Sequence, residues 1–505
     1  MKSFARLALL IQTFFASNAL FYSALILFIL SATYIAAGSL YPMAFDEEFH
    51  FGLIKIYAAG WFPYGIEHTG DMAQFGSATA DASYLFHYLM SFPYRILAAI
   101  GVPENGIIVT LRMLNIAMVV GSISVFRRAI IESGVSKSIT NIGLVFVMLI
   151  PVFIMLAAHI NYDNLLLLII SWCLLTLVRI TNDVRHGTSI QLHSIVILFG
   201  AVLLGMSVKY SFLPLALGMF IWLVGLIFIN IRSHKQPLKT YIVRFFKQSS
   251  LISRKNRYFL IGLTVVSIFF ASHYMTNFVE YGSPIPSCDR VFTEKECEAY
   301  GPWNRNRNYE GNKDSEFKPL SYPEYMAIEW FPAMAQRLTF AVAGKTNGFQ
   351  TKLPLPLLVY GLVAISTLGF FCLIFQAIRR QLQWLTGLTA VLSFVYVGVL
   401  SYQLYGDYVN TAQPVAINGR YLLPLLPLVA VGLIDAMRRT VRSVSPTTLA
   451  LVVIVTLIYL IVSGAGVGTY IVLSEPHWYW SGFGKSSHAV LQPLFEWLVS
   501  TSIRF

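Results

Sequence analysis

Long apolar segments recur along the whole chain and are separated by short polar connections. The first runs from Ala19 to Leu40, and at 1.5 Å per helical residue it is long enough to span a bilayer core. Ten further segments bring the predicted number of transmembrane helices to about eleven. They lie near residues 107–126, 139–158, 162–178, 190–208, 211–230, 258–275, 353–377, 382–402, 420–437 and 447–473. The pattern predicts an all-α polytopic membrane protein in which residues 1–505 form a single membrane domain.

The connection between the first two spans, residues 45–106, has an amphipathic pattern of its own. From Phe45 to Tyr57 apolar residues recur every three to four positions, which is typical of a helix lying in the membrane interface. Three polar side chains fall on its other side: Asp46, Glu47 and His50. A second apolar stretch, Ser83 to Ile100, is interrupted by Pro93 and predicts another interfacial or re-entrant element.

Basic residues lie in alternate connections, which sets the predicted orientation. The 231–257 segment alone contains eight Lys and Arg residues and no Asp or Glu. By the positive-inside tendency the N-terminus is cytoplasmic, whereas the 45–106 loop, the 276–352 loop and the C-terminus lie outside. A cleaved signal peptide is the alternative for the first segment, but its apolar length exceeds the usual 7–15 residues. We therefore expect a multi-pass protein of the bacterial inner (cytoplasmic) membrane.

Composition supports a membrane protein and bears on one alternative. The 505 residues are 56% hydrophobic and 12% charged, with a mean hydropathy of +0.65. A net charge of +12 could indicate nucleic-acid binding. Because the excess lies in the predicted cytoplasmic loops, the positive-inside tendency explains it without a nucleic-acid partner.

The 276–352 loop contains two of the four cysteines, Cys288 and Cys297, while Cys173 and Cys372 lie in apolar segments. This distribution predicts one local disulfide in an oxidising compartment. A metal site is disfavoured because two cysteines without a nearby histidine do not make a ligand set. The loop is also rich in aromatic residues, which favours an external cap packed on the membrane surface.

Asp46 and His50 are four residues apart, so on a helix their side chains can meet. A carboxylate hydrogen-bonded to an imidazole at a partly dry interface is suited to accept a proton. The structural alternative is that Asp46 caps the helix, with Glu47 in its first turn favoured by the helix dipole.

Further polar side chains occur near the same predicted outer face: His159, Asp163, Lys209 and Arg420. Cations there run against the positive-inside tendency and are costly in lipid, which favours a function for them. The alternatives are an N-cap for Asp163, a packed interfacial His159, and snorkelling of the two cations to headgroups.

A carboxylate and cations at one membrane face suit group transfer from a lipid phosphate. Lys and Arg bind phosphate, and a carboxylate can deprotonate an acceptor hydroxyl. The chain has no phosphate loop and no Gly-x-Gly-x-x-Gly motif for a soluble nucleotide.

The segment Phe45-Asp46-Glu47-Glu48-Phe49-His50-Phe51 resembles the Asp-Glu motif in the first external loop of the GT-C superfamily of membrane glycosyltransferases. Asn161-Tyr162-Asp163 and the run from Gly419 to Pro427 are similar to an uncharacterised bacterial family related to protein O-mannosyltransferases and lipid A aminoarabinose transferases. The resemblance implies a GT-C-like bundle, a polyprenyl-phosphate-linked sugar donor, and Asp46 as catalytic carboxylate with Glu47 as its neighbour. The chain departs from that family after the Asp-Glu pair, where a proline is more usual.

The resulting hypothesis is an inverting glycosyltransferase acting in cell-envelope glycan or glycoconjugate synthesis. Asp46 is the expected base, Glu47 or His50 tunes it, and Lys209 and Arg420 hold the lipid phosphate; His159 and Asp163 are further substrate-binding candidates. The acceptor is a glycan, lipid or protein, and the cofactor is left open, including a divalent metal ion. Competing hypotheses are a lipid or solute transporter, which usually places ionisable groups at the bilayer midplane, and a catalytically silent scaffold.

Overall fold

The computed structural model describes residues 13–43, 46–64, 68–186, 191–234, 253–314, 316–339, 355–441, 445–475, 478–480 and 482–503. Phe45 of the predicted interfacial helix and residues 235–252 of the basic segment lie outside this part. Within it the chain forms helices and loops without a β-strand, and an isolated antiparallel bridge pairs Ser39 with Tyr479.

The α-helices are, in chain order, α1 Asn18–Gly38, α2 Glu47–Ala59, α3 Leu85–Ala99, α4 Glu104–Glu132, α5 Lys137–Met148, α6 Pro151–Ala157, α7 Tyr162–Arg185, α8 Leu192–Val208, α9 Leu213–His234, α10 Arg254–Tyr281, α11 Cys288–Val291, α12 Glu294–Cys297, α13 Gly301–Gly311, α14 Tyr322–Tyr325, α15 Phe331–Leu338, α16 Pro356–Ile378, α17 Trp384–Thr411, α18 Leu426–Thr440, α19 Pro446–Val462, α20 Gly468–Leu473 and α21 Phe483–Ile503. Short 3₁₀-helices cover Gly70–Thr79, Tyr210–Phe212 and Gly419–Leu422, and a π-helical turn covers Met326–Trp330.

Seven helices of the described chain are long and apolar enough to cross a membrane, or eight if the bent pair α5 and α6 forms one span. The all-helical class is therefore confirmed, whereas the count of about eleven is not. The difference lies partly in α8 and α18, which have 17 and 15 residues. At 1.5 Å per residue these helices are shorter than a bilayer core of about 30 Å. The interfacial placement of α2 and α3 stays a prediction.

The core is built around α7, which packs along α4. Ser122 of α4 donates to the Leu167 carbonyl at 3.2 Å, so the two backbones lie close together. The preceding pair α5 and α6 is bent by 75° at Pro151, whose missing N–H cannot continue the ladder of α5. The bend leaves α6 fully buried and leads the chain directly into the turn that starts α7.

The predicted cap, residues 276–352, contacts the 45–106 loop through its described residues. Cys288 and Cys297 form a disulfide with Cα atoms 5.9 Å apart, and Ala73 of the 3₁₀-helix packs against them. Gly76 has φ +53°, and a Cβ there would lie 2.3 Å from the Tyr300 ring. Only glycine fits both this left-handed backbone and the close contact, so the cap is seated tightly on the 3₁₀-helix Gly70–Thr79.

Candidate active site at the helix ends

Asp46 occupies the N-cap position of α2 but does not cap it. Its backbone is left-handed (φ 68°), and its side chain makes no capping hydrogen bond. The carboxylate is 57% exposed, and Oδ2 accepts a hydrogen bond from Arg420 Nη2 at 2.8 Å. The capping alternative therefore does not describe this residue, whose carboxylate points to an arginine far along the chain.

Arg420 lies in the 3₁₀-helix Gly419–Leu422. Asn418 caps this helix, since its side chain accepts from the Arg420 N–H at 3.1 Å. A Cβ on Gly419 would lie 2.5 Å from the Leu338 nitrogen, so glycine allows α15 to press against this turn. The guanidinium side chain is only 7% exposed. Burial alone lowers the pKa of Arg420, but Tyr421, Asp46 and Asp163 outweigh it and raise the pKa. The cation is thus fixed and permanently charged.

Asp163 and Lys209 form a second, more buried pair beside the first. Lys209 Nζ donates to Asp163 Oδ1 at 2.8 Å, and both side chains are about one-tenth exposed. Burial alone lowers the pKa of Lys209, and the Asp163 charge more than offsets this, so the pKa is raised. The N-cap of α7 is Asn161, not Asp163, because the Asn161 side chain accepts from the Asp163 N–H at 2.9 Å.

These two pairs are connected. Asp163 Oδ2 lies 3.9 Å from Arg420 Nε, so charges alternate in the order Asp46, Arg420, Asp163, Lys209. Lys209 Nζ also lies over the Tyr162 ring at 4.4 Å and the Tyr421 ring at 4.9 Å. The row carries no net charge, and Asp46 is its one exposed member.

Glu47 points away from this row and into the protein. It is fully buried and pairs with Arg112 through two hydrogen bonds of 2.8 and 2.7 Å. It also accepts from the backbone N–H groups of Met43 and Ile160. Burial alone raises the pKa of Glu47, but Arg112 holds it below its ordinary value. Its predicted catalytic role is not supported by this position, which is that of a structural ion pair.

His50 pairs with a histidine rather than with Asp46. Its Nδ1 lies 2.9 Å from His87 Nε2 on α3, and the Tyr162 ring stands edge-on to its imidazole at 4.5 Å. Burial lowers the pKa of both histidines, that of His87 to about 3. The predicted contact between Asp46 and His50 is replaced by a buried neutral pair that supports the start of α7.

His159 follows the last residue of α6 by two positions. It is fully buried, and its Nδ1 is 2.7 Å from the Met155 carbonyl oxygen. Burial lowers its pKa, and the neighbouring Glu47 partly opposes this. Its position matches the packed-histidine alternative more closely than substrate binding.

The structure thus brings Asp46, Asp163, Lys209 and Arg420 together and places Glu47, His50 and His159 in supporting contacts. Sequence reasoning missed Arg112 and His87. Arg112 had a signal, because an arginine inside an apolar segment is costly unless it is paired. The one sequence signal for His87 was its position in the apolar stretch that Pro93 interrupts.

Within the described ranges, no group of three or more His, Cys, Asp or Glu side chains is placed to hold a metal ion. Comparison of the chain with models of protein families, with curated proteins and with solved structures gives no match in any of the three.

Proposed function

We propose that the chain is an inverting membrane glycosyltransferase that transfers a sugar from a polyprenyl-phosphate donor to an acceptor on the outer face of the membrane. One observation carries the proposal: an exposed carboxylate, Asp46, is held against a buried, fixed guanidinium, Arg420. A base that meets solvent beside a cation that suits phosphate is the minimal pair this reaction needs.

In the proposed step the acceptor oxygen attacks the anomeric carbon of the sugar, and its proton passes to an Asp46 oxygen. The bond between the anomeric carbon and the phosphate oxygen breaks, and its electron pair leaves with the polyprenyl phosphate. Arg420 stabilises the charge that develops on the leaving phosphate, which is favourable because the buried cation is already in place. The products are the glycosylated acceptor and the polyprenyl phosphate.

The proposed setting is a bacterial inner membrane, with the N-terminus in the cytoplasm and the site at the outer face. About eleven spans and interfacial helices α2 and α3 belong to this proposal. The basic residues in alternate connections support this orientation. Helices α8 and α18 would then be short spans in a locally thinned bilayer.

An apolar cavity supports a lipid-linked donor. It has a volume of about 440 Å³ and lies between α5, α16, α18 and α19. Its lining runs the length of α18, from Leu426, the first residue of the helix, to Arg438. Leu426 follows Arg420 by six residues. Such a volume is suited to hydrocarbon, as expected for part of an isoprenoid chain.

The proposal is tested with purified protein in lipid nanodiscs and a panel of synthetic polyprenyl-phosphate hexoses and pentoses. Envelope extract supplies the acceptors, and the measured quantity is polyprenyl phosphate released together with labelled glycoconjugate formed. We expect Asp46→Asn to lower the rate with an active donor about 10²- to 10⁴-fold, as for loss of a positioned base.

The matched control is Glu48→Gln, because Glu48 is an exposed carboxylate two residues away. We expect it to retain wild-type transfer. Equal rates for wild type and Asp46→Asn would show that Asp46 is not the catalytic base. No transfer with any donor, together with lipid or solute uptake that does not depend on a donor, would favour the transporter hypothesis.

A further inference from the structure

The charge row has no spare cation for an incoming phosphate. Each of its two cations already contacts a carboxylate, and the pairs differ in how readily they can open. In the inner pair both partners are about nine-tenths buried, whereas Asp46 of the outer pair is 57% exposed. Separating the inner pair would leave a buried charge uncompensated, which is strongly unfavourable. Exchanging Asp46 of the outer pair for another anion would release Asp46 into water at little cost, because the buried Arg420 would stay paired.

Within the part of the chain that the structure describes, the hydrogen bond from Arg420 is what holds the Asp46 carboxylate in place. Asp46 precedes the first residue of α2, its backbone is left-handed, and its side chain makes no capping hydrogen bond. Arg420, by contrast, is fixed by the Asn418 cap and by the close contact at Gly419. A ligand that competes for Arg420 therefore displaces the carboxylate rather than the guanidinium.

We infer that the lipid phosphate binds by exchange, taking the place of Asp46 on Arg420 while the Asp163–Lys209 pair stays closed. A phosphate offers the planar guanidinium bidentate hydrogen bonds, which are stronger than those of an exposed carboxylate. The exchange has a chemical consequence, because it frees Oδ2, the carboxylate oxygen that accepts from Arg420, and leaves both Asp46 oxygens able to accept. Donor binding thereby frees the whole carboxylate at the moment when the phosphate is in position.

The role of the exchange in catalysis rests on the proposed function, but the exchange itself can be measured by binding alone, without sugar transfer. Farnesyl phosphate is the probe, with farnesol as the uncharged control, and affinity is measured by calorimetry on the full chain in nanodiscs made of neutral lipid. Asp46→Asn removes the competing charge and keeps a side chain that tolerates the left-handed backbone. We expect it to bind farnesyl phosphate about two- to fivefold more tightly than wild type, the range that an exposed ion pair contributes.

Glu48→Gln separates exchange from general electrostatics, because it removes an equally negative exposed side chain outside the pair. It should leave the affinity unchanged. Arg420→Lys should weaken binding, since lysine keeps the charge without the bidentate geometry. Unchanged or weaker binding by Asp46→Asn, or equal tightening by Glu48→Gln, would overturn the exchange.

A second readout follows Asp46 directly in the wild-type protein. Water-soluble carbodiimide labels accessible carboxylates, and mass spectrometry gives the rate at Asp46 relative to Glu48. Farnesyl phosphate should raise the relative labelling of Asp46; a fall or no change would contradict its release. If Asp46→Asn binds farnesyl phosphate more tightly but wild type transfers sugar from no donor, the proposed function is wrong and the exchange stands. If wild type transfers sugar but Asp46→Asn does not bind farnesyl phosphate more tightly, the exchange is wrong and the proposed function stands.

Discussion

At the scale of single residues, two adjacent carboxylates have opposite surroundings. Asp46 is 57% exposed beside Arg420, while Glu47 is fully buried against Arg112. The left-handed conformation of Asp46 turns its side chain away from the direction that the helix gives to Glu47. We therefore expect substitution of Asp46 to affect activity and substitution of Glu47 to affect stability.

Replacement of Glu47 should affect stability first. Glu47→Gln leaves Arg112 as an uncompensated buried charge, and removal of one partner of such a pair typically costs about 3–5 kcal/mol. We expect a large fall in the thermal unfolding midpoint in detergent. Asp46→Asn should change that midpoint little, because asparagine tolerates the same backbone. Similar midpoints for both variants would contradict the structural assignment of Glu47.

The buried histidine pair predicts acid sensitivity. The folded-state pKa of His87, about 3, lies below the ordinary value of 6.5. Between these values the unfolded chain binds more protons, so the free energy of unfolding falls as pH decreases through this window. For His87 alone the loss at pH 5 is about 2 kcal/mol.

Thermal unfolding at pH 7 and pH 5 measures this effect. His87→Phe should be less stable at pH 7 but lose less stability on acidification than wild type. His186→Gln is the control, since His186 is exposed at the end of α7. The same pH dependence in wild type and His87→Phe would show that this histidine does not resist protonation.

At the scale of elements, the disulfide between α11 and α12 secures the cap on the 3₁₀-helix at Gly70–Thr79. It closes a loop with a sequence separation of nine, worth about 2–3 kcal/mol on the chain-entropy account. We expect Cys297→Ser to increase hydrogen exchange within Gly70–Thr79 and to spare α7. Cys372→Ser, which removes a free cysteine of α16, should leave the exchange pattern unchanged. Unaltered protection of the 3₁₀-helix in Cys297→Ser would show that the cap is held by its apolar contacts alone.

At the scale of the whole molecule, the proposed orientation can be measured in intact cells. In a background with Cys173 and Cys372 replaced by serine, single cysteines are introduced at Asn312 and Gln381, both exposed in connecting segments. A membrane-impermeant maleimide should label Asn312→Cys and should label Gln381→Cys only after the cells are opened. The reverse pattern would put the charge row on the cytoplasmic side and exclude an external donor site.

Hydropathy along the chain was enough to predict an all-helical architecture and the long helices α1, α4 and α7, because apolar length alone determines them. The predicted count of about eleven spans is not confirmed, because helices such as α18 are short. The basic and acidic residues at outer turns could be proposed as one site from their common membrane face. Their pairing could not, since the sequence does not say which helix ends adjoin. For the same reason His87 and Arg112 were missed as partners of His50 and Glu47.

The buried pair of Glu47 and Arg112 also constrains how the chain enters the membrane. During synthesis α1 and Glu47 emerge before α4, so Arg112 reaches the bilayer within an otherwise apolar helix. An arginine at the centre of an inserting helix costs about 2.5–3.5 kcal/mol on translocon scales, which is an upper bound for Arg112 in the first third of α4. Arg112 donates to the Ala36 and Ser39 carbonyls as well as to Glu47, all in the segment that precedes it. Insertion of α4 therefore depends on α1 remaining beside it, which makes the first two long helices one unit of biogenesis.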